Sequence, residues 1–272
     1  MSTDRVRIVE VGPRDGLQNE SRQIPTEVKI EFVDALSGCG LDEIEVSSFV
    51  SPKWIPQLAD AEQVFAGIQR VTGETNMALV PNEQGLERAE RAQADKVAVF
   101  TAASETFSLK NTNATIAETL GRFKRVVARA KVPVRGYIST AFHCPFEGPV
   151  KLAKVIDVAR ALLDLGCAEL SIGDTIGKAT DTEVRRLLEK LIPVVGAPGP
   201  IALHFHDTFG QAVANAVAAG SLGIRTFDAS AGGIGGCPYA PGAPGNVATQ
   251  ALVEAFPGRT GVDLQKLEAA RA

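Results

Sequence analysis

The stretch Leu203–Gln211 reads LHFHDTFGQ and holds two of the three histidines in a chain of 272 residues. In a strand, residues i and i+2 face the same side, with Cα atoms roughly 6.5–7 Å apart. Imidazoles spaced in this way can reach one cation at about 2 Å each. The same spacing also describes two histidines hydrogen-bonded inside a polar interior. A metal reading for His204 and His206 therefore depends on partners from other parts of the chain.

Those partners stand at the ends of other apolar runs. VEVGPRDGLQNE carries Asp15, a hard oxygen ligand, beside Arg14, a planar fork of donors that stays charged at any working pH. GPRDG is equally good turn chemistry, and Arg14 with Asp15 also reads as a surface pair. Glu45 closes the run EIEVS, within reach of a ligand or of Arg14, or as a purely structural acid. The segment ASAGGIGGCPYAPGAPGN sets Cys237 at the edge of a glycine-rich loop. A thiol there can transfer a proton, or be incidental. Asn246 follows, either as a helix N-cap or as a carbonyl ligand.

The elements that must position these groups recur in one rhythm: a short apolar run, a polar or glycine-containing turn, then a helical pattern. The candidate strands are residues 7–11, 43–47, 76–80, 96–100, 135–139, 168–172, 201–205 and 226–230. Amphipathic helices are read in TEVKIEFVDALSGCG, TIAETLGRFKRVVARA, VKLAKVIDVARALLDLG and DTEVRRLLEKL. This alternation predicts an α/β chain folded as a (β/α)8 TIM barrel, with an open doubly wound sheet as the alternative. Residues 1–272 are expected to form a single catalytic domain. In a barrel, chemistry sits at the C-terminal strand ends, where all the candidates above fall. Cys39 and Cys167 lie at the opposite ends and read as buried small hydrophobes.

Composition narrows the function classes. A net charge of −4 and a pI near 5.5 argue against a nucleic-acid partner. No apolar run of about 18 residues marks a membrane span. The strand-like run beginning near Arg5 leaves no room for a leader peptide, and the four cysteines form no CxxC pair. A cytoplasmic, reduced protein is expected.

Taken together, VEVGPRDGLQNE, EVSSFVSPKW, RGYIS with CPFEG, SIGDTIG, LHFHDTFGQAVANA and GGIGGCPYAPGAPGNVAT resemble the 3-hydroxy-3-methylglutaryl-CoA (HMG-CoA) lyase family over nearly the whole chain. The resemblance implies a divalent metal, Mg²⁺ or Mn²⁺, on Asp15, His204, His206 and Asn246. It implies Arg14 as the catalytic, substrate-contacting arginine, Cys237 as the loop cysteine and Glu45 as a supporting acid. The implied reaction is retro-Claisen cleavage of HMG-CoA to acetyl-CoA and acetoacetate. A longer-branched substrate, an acetyl-CoA-dependent condensing enzyme and a non-catalytic sensor are the rivals. Where the wider group carries Asp-Arg-Glu, this chain has Arg14-Asp15-Gly16, which favours the lyase branch. Family chains usually run past the VDLQKL segment, so part of the acyl-CoA mouth is expected to be missing or built by another subunit, and a homodimer is expected. Lys53, Lys110, Lys178 and Arg22 are candidate contacts for the CoA tail, each of them also read as a solvated charge. His143, after the fifth run, receives no role.

Overall fold

The computed structural model describes residues 4–18, 20–235 and 245–270. Eight parallel strands close into a barrel: β1 (Arg7–Glu10), β2 (Glu43–Ser48), β3 (Thr75–Leu79), β4 (Lys96–Ala102), β5 (Val134–Ser139), β6 (Glu169–Asp174), β7 (Ile201–Phe205) and β8 (Thr226–Ala229). Each falls within two residues of its sequence expectation. The ladder from β1 to β8, with Arg7 opposite Thr226 and Glu10 opposite Ala229, closes the cylinder and excludes the open sheet. Around the barrel lie the helices α1 (Thr26–Ser37), α2 (Ala61–Gly67), α3 (Glu83–Arg91), α4 (Glu105–Thr112), α5 (Ile116–Arg129), α6 (Leu152–Leu165), α7 (Asp181–Val195), α8 (Ala212–Ser221) and α9 (Thr249–Ala255), of which α1, α5, α6 and α7 are the expected ones. Both α5 and α7 begin with a capping box, Thr115 with Glu118 and Thr180 with Glu183, which satisfies two otherwise orphaned backbone donors reciprocally.

Alternation along the strands builds two different interiors. Ile8, Ile44, Val97, Val99, Ile138, Leu170, Ile172, Ile201, Leu203 and Phe227 face the helices and belong to the main apolar core. Cys39 and Cys167 are buried with them, as expected. The opposite face points into the barrel. There only Val9, Val11, Met77, Leu79, Ala98 and Tyr137 make a small apolar cluster. Much of the rest of the barrel interior is ionic. Lys96 Nζ lies 3.0 Å from Glu43 and 2.9 Å from Glu169, and Arg7 reaches Glu169 at 2.8 Å. Above them the fully buried Arg135 contacts Glu169 at 3.1 Å and Asp228 at 2.5 Å. Buried charges survive only when paired and hydrogen-bonded, and this column alternates in sign along its length.

At the C-terminal rim, loops from neighbouring strands pack on one another through glycine. Gly177, after β6, has φ +68°, and a Cβ there would stand 2.7 Å from the His206 carbonyl oxygen and 2.9 Å from the Thr208 nitrogen. A left-handed backbone and close contact together require glycine here. Gly177→Ala should therefore destabilise the fold by about 1–3 kcal/mol, read as a lowered urea midpoint.

Candidate active site and metal centre

The first candidate site residues sit in the turn after β1. Backbone N–H groups of Arg14, Asp15 and Gly16 all donate to the Val11 carbonyl, at 3.2, 2.7 and 3.2 Å. This wide turn, Gly12–Gly16, directs two adjacent side chains to different partners. Arg14 turns toward β2, where its Nε and Nη2 each lie 2.6 Å from Glu45 Oε2. The Tyr137 hydroxyl donates to the same oxygen at 3.3 Å, and the guanidinium lies 5.6 Å from the Tyr137 ring centre. Its remaining arm, Nη1, donates to Asp15 Oδ1 at 2.5 Å. Glu45 is wholly buried mid-strand rather than at a strand end.

Asp15 Oδ2 accepts from the Asn246 amide at 2.9 Å. That amide also donates to the Ile234 carbonyl at 3.2 Å, which leaves the Asn246 carbonyl oxygen for another partner. Asn246 is not a helix cap: α9 (Thr249–Ala255) begins later, after Ala248. Asn246 instead bridges to His206 across the rim. One ligand atom each from Asp15, His204 and His206 lies within 4.8 Å of the others. The histidine rings are tilted by 49° with centres 5.3 Å apart.

Three features fit a divalent cation at this point. The donor set mixes imidazole with carboxylate. His206 Nδ1 is buried without a hydrogen-bond partner among the described residues. The electrostatics also favour an anionic, metal-ready Asp15: burial opposes its charge, but Arg14, then His204 and His206, hold it far below the ordinary carboxylate range. Burial pushes Glu45 up against the pull of Arg14. Burial opposes charging of His204, yet Asp228 and Asp15 carry it above its ordinary value. Burial and then the neighbouring His204 push His206 down to about 4.

Arg14, Asp15, His204 and His206 line a cavity of about 750 Å³ at the barrel mouth, together with Val50, Leu79, Phe100 and Tyr137. Lys53, Lys110, Lys178 and Arg22 are exposed and do not line it. Lys110 lies instead over the Phe146 ring at 4.7 Å. Arg122 of α5, which the sequence reading passed over, does line the cavity. Its distance in sequence from every motif gave no signal. Tyr137 was also missed, although it stands two residues after Arg135 on the same inward face. His143 lies outside the cluster, with Nε2 3.0 Å from Glu183. Cys237 falls outside the described residues. At Gly16 a Cβ would stand 2.6 Å from Ile234 Cγ1, so a larger residue there would press on that side chain.

A family model described as HMGL-like matches residues 5–272. The chain belongs to the HMGL-like family. Rat cytoplasmic 3-hydroxy-3-methylglutaryl-CoA lyase is 50% identical over 268 residues, covering 96% of this chain and 78% of that protein. Among solved structures, the HMG-CoA lyase of Brucella melitensis superposes with a TM-score of 0.96 at 47% identity, covering 98% of this chain and 96% of its own. An HMG-CoA lyase from Acinetobacter baumannii, solved with coenzyme A and 3-methylmalate, gives 0.93 at 38% identity, covering 99% and 90%. In this HMGL-like chain the segments that carry the site are tied together by Glu10, a fully buried carboxylate on the outer face of β1. It accepts from Gly12 N at 2.9 Å, Ala231 N at 2.8 Å and Thr249 Oγ1 at 2.6 Å. It thereby joins the Arg14–Asp15 turn, the loop after β8 and the start of α9.

Burial pushes the Glu10 carboxyl from 4.5 up to about 7, against those three hydrogen bonds. A folded-state value above the unfolded one means that the folded chain binds more protons between the two, so stability falls as pH rises through that window. Wild-type protein should lose stability between pH 5 and 8 on this account. Glu10→Gln should lack that component, so its urea midpoint should rise relative to wild type as pH increases. A constant difference across the range would reject this role.

Proposed function

We propose that this protein is a divalent-metal-dependent carbon–carbon lyase that cleaves HMG-CoA to acetyl-CoA and acetoacetate. The observation that carries the reading is the convergence of Asp15, His204 and His206 beside Arg14 in the cavity of an HMGL-like barrel. Asp15, His204, His206 and the Asn246 carbonyl would hold the cation. When bound, it supplies Lewis acidity that lowers the pKa of the substrate hydroxyl and fixes its orientation. Two imidazoles, a carboxylate and an amide oxygen would suit Mg²⁺ or Mn²⁺, the cations this proposal names.

In the reaction the tertiary hydroxyl loses its proton as the C2–C3 bond breaks. The bonding pair moves onto the thioester as an enolate, whose protonation at carbon yields acetyl-CoA. Arg14 donates to the developing enolate oxygen. Glu45, which also accepts from the Tyr137 hydroxyl, holds the Arg14 Nε and Nη2 from behind, so the guanidinium is fixed and pre-oriented. Such preorganised donors cost no rearrangement during the reaction. Cys237 serves proton transfer at carbon. Arg122 offers a cation on the cavity wall for the anionic CoA portion.

Relatives at about half identity are HMG-CoA lyases, so neither a longer-branched ester nor a condensing reaction is favoured. Among the described residues no helix is long and apolar enough to cross a membrane. Curated relatives include cytoplasmic and mitochondrial proteins. The cytoplasm belongs to this proposal because Cys39, Cys144 and Cys167 are buried free thiols, in keeping with a reducing compartment.

Purified protein with Mg²⁺ or Mn²⁺ should release acetyl-CoA from HMG-CoA, and EDTA should stop it reversibly. Absence of turnover with either metal under reducing conditions would reject the reading. Arg14→Gln should lower kcat about 10²–10³-fold, or roughly 3–4 kcal/mol, while Mn²⁺ affinity stays within a few-fold. Loss of Mn²⁺ binding in that variant would assign Arg14 a different task. Cys237→Ala should bind metal normally and cleave slowly, and unchanged kinetics would remove the thiol from the mechanism.

A further inference from the structure

His204 and His206 face one cation position, but their Nδ1 atoms meet different surroundings. That of His206 has no hydrogen-bond partner among the described residues. That of His204 lies 3.3 Å from Asp228 Oδ2, off the alignment of a hydrogen bond. Sheet register builds this contact, because Asp228 on β8 is the Cα partner of His204 on β7. The Asp228 carboxylate is fully buried and cannot turn away. Its Oδ1 accepts from Arg135 Nη2 at 2.5 Å and its Oδ2 from Ser171 Oγ at 2.9 Å. Arg135 is fixed in turn by Glu169, 3.1 Å from its Nε.

An anionic oxygen at this distance repels a ring lone pair and attracts a ring N–H. In a neutral imidazole the proton then resides on Nδ1 and the lone pair on Nε2. We propose that Asp228, clamped by Arg135, is a positioning residue that fixes His204 in the Nδ1–H form and so presents Nε2 to the cation. The inference rests on the metal-site reading above. Outer carboxylates that accept from a ligating histidine orient the ring and raise its donor strength. His206 has no such partner, so the two imidazoles are unequal ligands, with His204 the stronger.

The test is Mn²⁺ titration of metal-free protein, followed by water-proton relaxation, on wild type, Asp228→Asn and Glu169→Gln. Asp228→Asn should weaken Mn²⁺ binding about 10–100-fold. Glu169→Gln breaks the same buried ion cluster without touching His204, and should keep Mn²⁺ affinity near wild type. Wild-type affinity in Asp228→Asn, or equal weakening in both variants, overturns the inference. Should Asp228→Asn fail to fold, the wild-type tautomer decides. With only three histidines in the chain, ¹⁵N-histidine spectra at mildly alkaline pH resolve each ring, assigned through His143→Asn and His206→Asn. His204 should carry its proton on Nδ1 both without metal and with Mg²⁺; a proton on Nε2 overturns the inference. A wild-type protein that binds no Mn²⁺ at all would strike the metal reading itself, and the metal-free tautomer would still report on Asp228.

Discussion

The carboxylate of Asp15 is shared, and the site depends on how it is shared. One oxygen answers to the Arg14 guanidinium, and the other takes the Asn246 amide beside two imidazoles. A group placed between a permanent cation and a cation-binding cluster stays ionised however deeply it is buried. It also ties the orientation of the arginine to that of the histidines. That contact joins residues at opposite ends of the sequence. Here it follows from barrel closure: β1 bonds β8 and β8 bonds β7, so the first and seventh strands stand one strand apart. The wide turn after β1 then presents adjacent side chains to two different walls of the mouth.

Below the site, the barrel interior does not follow the usual pattern of a parallel sheet. Strands buried on both faces ordinarily read as near-continuous apolar runs. In this protein Lys96 and Arg135 meet Glu43, Glu169 and Asp228 inside the cylinder, and the partly exposed Arg7 reaches Glu169 from its end. Such a set balances its charge only when complete, and losing one partner strands another charge at a cost of about 3–5 kcal/mol. The interior is therefore committed as a unit. Its topmost carboxylate, Asp228, touches His204, so the cluster that fills the barrel also borders the candidate metal centre.

Much of this was legible in the sequence, and the exceptions have physical reasons. Strand periodicity placed all eight barrel strands, because apolar residues at every second position mark the helix-facing side regardless of what lines the other. The pairing of His204 with His206 followed from spacing, and Asp15 followed from its place after the first strand. Arg135 and Asp228 carried the same two-residue alternation but were not read as functional. A charge inside a strand looks solvent-facing until closure decides which face is inside. Arg122 and Tyr137 reach the cavity through packing between distant elements, which no local pattern encodes. Lys53, Lys110, Lys178 and Arg22 follow strand ends and are exposed, but do not line the cavity, because position along the chain does not fix where a long side chain goes.

An ionic rather than methyl-lined cylinder also changes how the protein responds to heat. On unfolding, apolar surface raises the heat capacity by about 0.45 cal/K/mol per Å², whereas polar surface lowers it by about 0.26. Charged groups also become cheaper to dehydrate as temperature rises. Strands whose inner faces carry Arg135, Glu169 and Asp228 therefore contribute less to the heat-capacity increment than the same strands lined with valine and leucine. The stability curve flattens accordingly, and folding weakens less steeply on either side of its optimum temperature.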